Sequence, residues 1–150
     1  MRFLQNNSRV LFVNAAALVV LLNAGCSSMS MPEWAGGAKK LDLTGAQEVP
    51  PVSTKASGKS MIKVDDDKSV SGTITFSGMS ATAAHIHQGA KGANGPVIIP
   101  LTKTSDTGFA VPANTKLSDA QYAAYKGDGL YVNVHSAANP GGEIRAQLKP

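Results

Sequence analysis

The feature that most constrains the fold is a series of short segments in which apolar and polar residues alternate, each bounded by turn-forming residues. Residues 59–65 and 70–76 show this pattern most clearly, and the aspartates at 65–67 begin the turn between them. Because successive side chains of a β-strand point to opposite faces, a period of two indicates strands with one buried face. The two segments therefore predict a β-hairpin whose inner face carries Val70, Gly72, Ile74 and Phe76.

Comparable short segments continue to the end of the chain. Residues 97–101 predict a buried strand. Pro50 and Pro51 have no backbone N–H to donate to a neighbouring strand, so the segment that contains them is expected at a sheet edge or in a loop. One helix is predicted over residues 117–125, since Ser118 and Gln121 have the spacing of a capping box. Eight or nine short strands with one short helix predict an all-β sandwich or barrel.

The N-terminal segment has the composition of an export signal. A basic start precedes a nearly unbroken apolar run at 10–22, which is shorter than the roughly 20 residues of a membrane span. Small residues directly before Cys26 resemble a bacterial lipoprotein box, with an ordinary secretory peptide or a free buried thiol as alternatives. We expect a signal peptide at 1–25, a flexible tether at 26–40 and a folded domain at 41–150.

These boundaries imply a location and exclude some partners. Lipid on Cys26 would anchor the domain to a bacterial membrane, expected to be the outer one, on the periplasmic or envelope side. Cys26 is the only cysteine, so no internal disulfide can form. The formal charge of +4 includes Arg2 and Arg9, and without basic runs this mild charge argues against nucleic acid as a partner.

Trp34 is expected at the domain edge or the membrane interface.

All three histidines of the chain lie in two segments that alternate in the manner of strands. His85 and His87 share one face of the first strand, and Tyr131, Asn133 and His135 share one face of the second. If the two strands are neighbours, three imidazoles can converge. Three neutral imidazoles around an open position form a metal site, whereas a hydrogen-bonded structural cluster is the alternative.

The chemistry of the ligands narrows the choice of metal. Imidazole suits copper and zinc better than calcium or magnesium, and copper binds most tightly in the Irving–Williams order, so copper is expected with zinc as the alternative. Water, Glu48 or Met79 could supply a fourth ligand. Tyr131 and Asn133 are expected to contact an imidazole without binding the metal, and so to fix its tautomer or orientation.

Several motifs in a fixed order resemble one known family. They are EVPPV at 48–52, AHIH at 84–87, GLYVNVH at 129–135 and NPGGEIR at 139–145, and together they are similar to the CHRD domain found in chordin and in exported bacterial proteins. The resemblance covers about residues 41–149 and implies an immunoglobulin-like or Greek-key β-sandwich. A weaker likeness to copper/zinc superoxide dismutase does not imply dismutase activity, since those enzymes use more histidines and a disulfide.

Two functions remain open from the sequence. The first is metal storage, transfer or resistance through the three histidines, and the second is an envelope module that binds a protein partner and whose histidines are structural. An enzyme is not indicated by the sequence. It shows neither a serine nucleophile with a placed base nor a motif of paired carboxylates. Glu143 and Arg145 share a face of the last strand and are expected to form cross-strand ion pairs.

Overall fold

The computed structural model describes residues 37–150, so the predicted signal peptide, Cys26 and Trp34 lie outside the described residues. This part of the chain holds nine strands and one α-helix. The elements are β1 (Leu41–Thr44), β2 (Ser57–Val64), β3 (Val70–Ser77), β4 (Ala81–Gln88), β5 (Val97–Pro100), β6 (Thr102–Ser105), β7 (Gly108–Ala110), α1 (Asp119–Lys126), β8 (Leu130–Ser136) and β9 (Ile144–Gln147). A single 3-10 turn, Gly45–Gln47, follows β1. Within residues 37–150, no helix is long and apolar enough to span a membrane.

All nine strands belong to one sheet in the order β5-β4-β8-β9-β1-β2-β3-β7-β6, and every pairing is antiparallel. The sheet curls around a single apolar core that includes residues of both its halves. The backbone N–H of Leu101, just before β6, donates to the carbonyl of Ala84 in β4 at 2.9 Å, which brings opposite ends of the strand order together. The all-β prediction is confirmed, with the layers of the sandwich formed by one continuous sheet.

The predicted hairpin is confirmed as β2 and β3, paired from Ser57↔Ser77 to Val64↔Val70. Its alternating inner residues are buried as expected. The helix is also confirmed, since the Ser118 hydroxyl accepts from the backbone N–H of Gln121 and the Gln121 side chain accepts from the N–H of Ser118. Tyr125 packs into the core, where its hydroxyl donates to the carbonyl of Lys149 at 2.9 Å.

The structure corrects one strand and adds another. The strand predicted at 97–101 forms as β5, but its predicted burial is wrong, because β5 lies at one end of the sheet, where Val97 is 46% exposed and Ile99 is its buried residue. An edge strand has a neighbouring strand on one side only, so fewer flanking side chains cover it than cover a central strand. Strand β6, at the other end, was not predicted because its four residues are all exposed and polar.

Strands β4 and β8 separate two different layers. Their inner residues, among them Ile86, Val132 and Val134, belong to the apolar core. Their outer residues are mostly polar, yet every residue of β8 is buried. The outer face is therefore covered as well, and hydrogen bonds show that loops do this: the Gly-rich loop (residues 89–96, between β4 and β5) and the Pro-Gly loop (residues 137–142, between β8 and β9) both contact it. The candidate site lies in this polar layer.

Candidate metal centre

The register of β4 with β8 brings the three histidines together. His85 pairs with Asn133 and His87 with Tyr131, while His135 lies opposite Ala83, so all three rings lie on the outer face. One ligand nitrogen from each histidine can be chosen so that all three lie within 4.8 Å of one another. The predicted convergence of the three imidazoles is confirmed.

Two of the imidazoles are held by backbone carbonyls from different loops. Nδ1 of His87 lies 3.0 Å from the carbonyl oxygen of Gly95 in the Gly-rich loop, and Nδ1 of His135 lies 2.9 Å from that of Pro140 in the Pro-Gly loop. A carbonyl oxygen only accepts, so each Nδ1 carries the proton and donates. Both rings are thereby held with the lone pair on Nε2, the tautomer that a metal-binding imidazole needs.

The free nitrogens of the cluster differ in how they are satisfied. Nε2 of His135 lies 3.0 Å from Nδ1 of His85, and since His135 must accept there, His85 donates. Nε2 of His87 is buried and has no hydrogen-bond partner within residues 37–150. Leaving a buried polar atom unsatisfied costs about 1–3 kcal/mol. This orphaned nitrogen is the strongest structural indication that the cluster accommodates a ligand.

The spacing of the rings is compatible with a metal after a small adjustment. Metal–imidazole bonds of about 2.0–2.1 Å in tetrahedral geometry separate two ligand nitrogens by about 3.3 Å. The nitrogens here lie within 4.8 Å of one another, so closing the set requires shifts of at most about 1.5 Å. His85 is only partly buried and is the ring with room to rotate.

The environment favours the neutral, metal-binding form of the rings. Burial lowers the pKa of His85, and the neighbouring His135 and His87 lower it further. Burial also lowers the pKa of His135, although its hydrogen bond to Pro140 acts in the opposite direction. Both rings are therefore mostly neutral at pH 7, and a metal that binds Nε2 of His135 replaces the hydrogen bond from His85.

The two residues predicted as possible fourth ligands have different surroundings. Glu48 is 4% exposed but does not belong to the group of ligand atoms formed by the histidines. Burial raises the pKa of Glu48 to about 7, against the opposing effects of Arg145 and Asn133. Met79 packs against the apolar core. A fourth ligand from either residue stays a prediction.

The two residues predicted to orient an imidazole have different surroundings. The Tyr131 ring stacks on His87 with centroids 4.7 Å apart and planes 6° apart. Asn133 donates from Nδ2 to the carbonyl of Gly141 at 3.4 Å and, among the described residues, makes no hydrogen bond to a histidine. Tyr131 thus contacts the cluster directly, whereas Asn133 lies beside it.

The expected ion pairs of the last strand are absent from residues 37–150. Glu143 instead accepts from the hydroxyls of Thr54 and Ser136, and the Arg145 guanidinium covers the Tyr131 ring. Both side chains are buried, and their partners are two hydroxyls for Glu143 and an aromatic ring for Arg145 instead of the expected opposite charges.

Sequence reasoning missed the carbonyl groups that hold the imidazoles. Each lies in a loop that follows a histidine strand, and the signal available was the Gly95-Pro96 and Pro140-Gly141 pairs. Such pairs mark tight turns, and a turn that folds back over its own strand brings a carbonyl close to that strand's side chains.

Comparison with known proteins supports the family resemblance. The CHRD domain family model matches residues 40–148, which include all nine strands and the three histidines. Searches of the curated proteins and of the solved structures gave no match. The lipoprotein form and the likeness to superoxide dismutase stay predictions. The match extends over well more than half of the chain, and the protein therefore belongs to the CHRD domain family.

Proposed function

We propose that this protein is an exported, lipid-anchored protein that binds copper, or zinc as the alternative, through His85, His87 and His135. It acts in metal storage, transfer or resistance rather than in catalysis. The single observation that carries the proposal is the buried, unpartnered Nε2 of His87, a residue of the three-histidine cluster.

The chemistry of the cluster supports a metal of intermediate softness. The group contains only imidazole nitrogen, which suits copper and zinc and disfavours calcium and magnesium. Three protein ligands leave a fourth position for water or for an incoming ligand. An exchangeable position of this kind suits a protein that passes metal on, and the partly exposed His85 provides the side from which a metal enters.

The N-terminal sequence supports the location. An export signal followed by a lipid on Cys26 would keep the domain at the membrane, on the side where envelope metal traffic takes place. The membrane and the metal ion are then the partners, and a protein partner or a second copy of the chain would be the recipient of the metal.

Isothermal titration of metal-free protein with Cu²⁺, and separately with Zn²⁺, tests this function. We expect one ion per chain for the wild type and a loss of at least about tenfold in affinity for His87→Ala, since one of three ligands is gone. Met79→Leu removes the thioether at nearly constant volume, and so shows separately whether Met79 supplies a fourth ligand. Equally weak binding by the wild type and His87→Ala would refute the proposal.

A second function is favoured by one observation. His85 and His135 satisfy each other through their 3.0 Å hydrogen bond without any metal. An envelope module that binds a protein partner, with structural histidines, would have this arrangement. It predicts that a chelator leaves the melting temperature of the protein as purified unchanged, whereas a bound metal must raise that temperature.

A further inference from the structure

The Arg145 guanidinium is buried and forms no direct ion pair among residues 37–150. Burial lowers its pKa, although the Glu48 carboxyl is close enough to act in the opposite direction. Arg145 is 1% exposed, and none of the ion pairs formed among residues 37–150 includes it. Removing a cation from water costs several kcal/mol, and an apolar side chain of similar size is often more stabilising at such a position. Stability alone therefore does not explain an arginine here.

Arg145 instead holds the Gly-rich loop. Its Nη2 donates to the carbonyl oxygens of Ala90 and Ala93 at 3.2 and 3.0 Å, and its Nη1 donates to Oδ1 of Asn94 at 3.3 Å. Three acceptors of one loop thus converge on one planar group. Only the fork of an arginine offers donors in several fixed directions at once.

The same guanidinium also holds an aromatic ring. Its carbon Cζ lies 3.4 Å from the centroid of the Tyr131 ring, within the range of a cation–π contact. In the strand order, β8 lies between β4 and β9, so Tyr131 stands between His87 and Arg145. Arginine, tyrosine and histidine form a continuous stack across three strands.

Both sets of contacts end at His87. Through the loop, Arg145 holds Asn94, and the next residue, Gly95, supplies the carbonyl that accepts from Nδ1 of His87. Through the ring, Tyr131 stacks on His87, and its hydroxyl accepts from the backbone N–H of Gly95 at 3.2 Å. His135 depends on neither set, because its carbonyl partner belongs to Pro140 in the other loop.

We propose that Arg145 is the positioning residue of His87: it fixes the tautomer and the orientation of that imidazole through the Gly-rich loop and the Tyr131 ring. The structural part of this inference stands without a metal. Its consequence for metal affinity rests on the function proposed above.

Histidine tautomers in the metal-free protein, read from long-range ¹H–¹⁵N correlations, test the proposal. In the wild type, we expect His87 and His135 each to be a single Nδ1–H tautomer. In Arg145→Met, which keeps length but loses every donor, we expect His87 to become a mixture while His135 is unchanged. His135 is the internal control, since general loosening of the domain would alter both rings.

A folded Arg145→Met in which His87 keeps its wild-type tautomer overturns the proposal, as does an equal change at His135. If this variant does not fold, Asn94→Ala decides. Asn94 is exposed, and the substitution removes only its bonds to Arg145 and to the carbonyl of Val49. The same selective change at His87 supports the positioning role, and an unchanged His87 contradicts it.

Copper titration of the same variants separates this inference from the proposed function. We expect Arg145→Met to weaken binding by about 10–100-fold, as removal of a group that orients a ligand typically does. If the wild type binds no metal, the proposed function fails while the tautomer result still decides the role of Arg145. Wild-type affinity in a variant whose His87 tautomer is mixed would refute the link to the metal.

Discussion

At the scale of single residues, the polar layer depends on close approaches that leave no room for an added carbon. Gly142 has a φ of +133°, and a Cβ built on it would lie 2.5 Å from Nδ2 of Asn133 and 2.5 Å from Oε1 of Glu48. Neither side chain can easily retreat, because both are buried. Gly141, its neighbour, is exposed and has nothing within 4 Å of its added carbon.

This contrast gives a prediction with its control one residue away. We expect Gly142→Ala to lower the free energy of unfolding by about 2–4 kcal/mol, from the strained φ together with overpacking. Gly141→Ala should stay within about 0.5 kcal/mol of the wild type. Urea denaturation measures both, and equal stability of the two variants would contradict the close packing around Gly142.

Glu48 gives a prediction that depends on pH. Its folded pKa is about 7 against 4.5 when exposed, so between these values the folded protein holds a proton that the unfolded chain releases. The contribution of Glu48 to the free energy of unfolding of the wild type therefore falls as the pH rises from 4.5 to about 7. Glu48→Gln does not titrate, and its stability relative to the wild type should increase by on the order of 2 kcal/mol between pH 5 and pH 8.

Urea denaturation of the metal-free proteins at both pH values measures this difference. The three histidines are present in the wild type and in Glu48→Gln alike, so their contribution to the stability of the two proteins cancels. A difference that is independent of pH, or one that shrinks toward pH 8, would show that the Glu48 carboxyl is not held in its protonated form.

At the scale of elements, the helix and the hairpin followed from local rules. The capping box at Ser118 and Gln121 specifies a helix start within four residues, and the alternation of β2 and β3 specifies both strands and their inner face. The edge position of β5 and the existence of β6 did not follow, because positions at the ends of the sheet are set by contacts with distant segments. The alternation of apolar and polar residues within a strand indicates which of its faces is buried, but it does not indicate the position of that strand in the sheet.

The capping box predicts a measurable loss. Ser118→Ala removes the acceptor of the Gln121 N–H and should cost about 1 kcal/mol of stability. Ser80→Ala is the control, since Ser80 is exposed and its side chain makes no hydrogen bond in the part of the chain that the structure describes. Thermal melts compare the two, and an equal effect of both would mean that the cap contributes nothing.

At the scale of the whole molecule, the unusual feature is a buried polar layer on the outside of a sheet. The alternation of β4 and β8 predicted which face of its own strand each histidine occupies, and the pairing of the two strands, a condition of the prediction, brings the three together. Alternation normally implies a solvated outer face, so the cover supplied by two loops was not predictable. Neither was the stack of Arg145 on Tyr131, which depends on the pairing of β8 with β9.

The lowered pKa values of His85 and His135 give a prediction for metal-dependent stability. Because the pKa values of both rings lie below the ordinary histidine value of 6.5, protons compete with the metal for these two rings at more acidic pH than for an exposed histidine. Zinc in excess should raise the melting temperature by about 10 °C. This increase should be largest near pH 7.5 and shrink as the pH falls below 6.5.

Scanning calorimetry with and without zinc across this pH range measures the increase. His87→Ala should show little or none at any pH, which controls for zinc bound elsewhere on the surface. An increase that disappears well above pH 6.5, or one that His87→Ala retains in full, would contradict metal binding at this histidine cluster.

X-ray absorption spectroscopy of protein loaded with one equivalent of copper tests the central claim most directly, because it counts imidazole ligands. We predict three imidazole nitrogens at about 2.0 Å in the wild type and two in His87→Ala. A spectrum with fewer than two imidazoles in the wild type, or one that is unchanged in His87→Ala, would contradict a metal centre built from His85, His87 and His135.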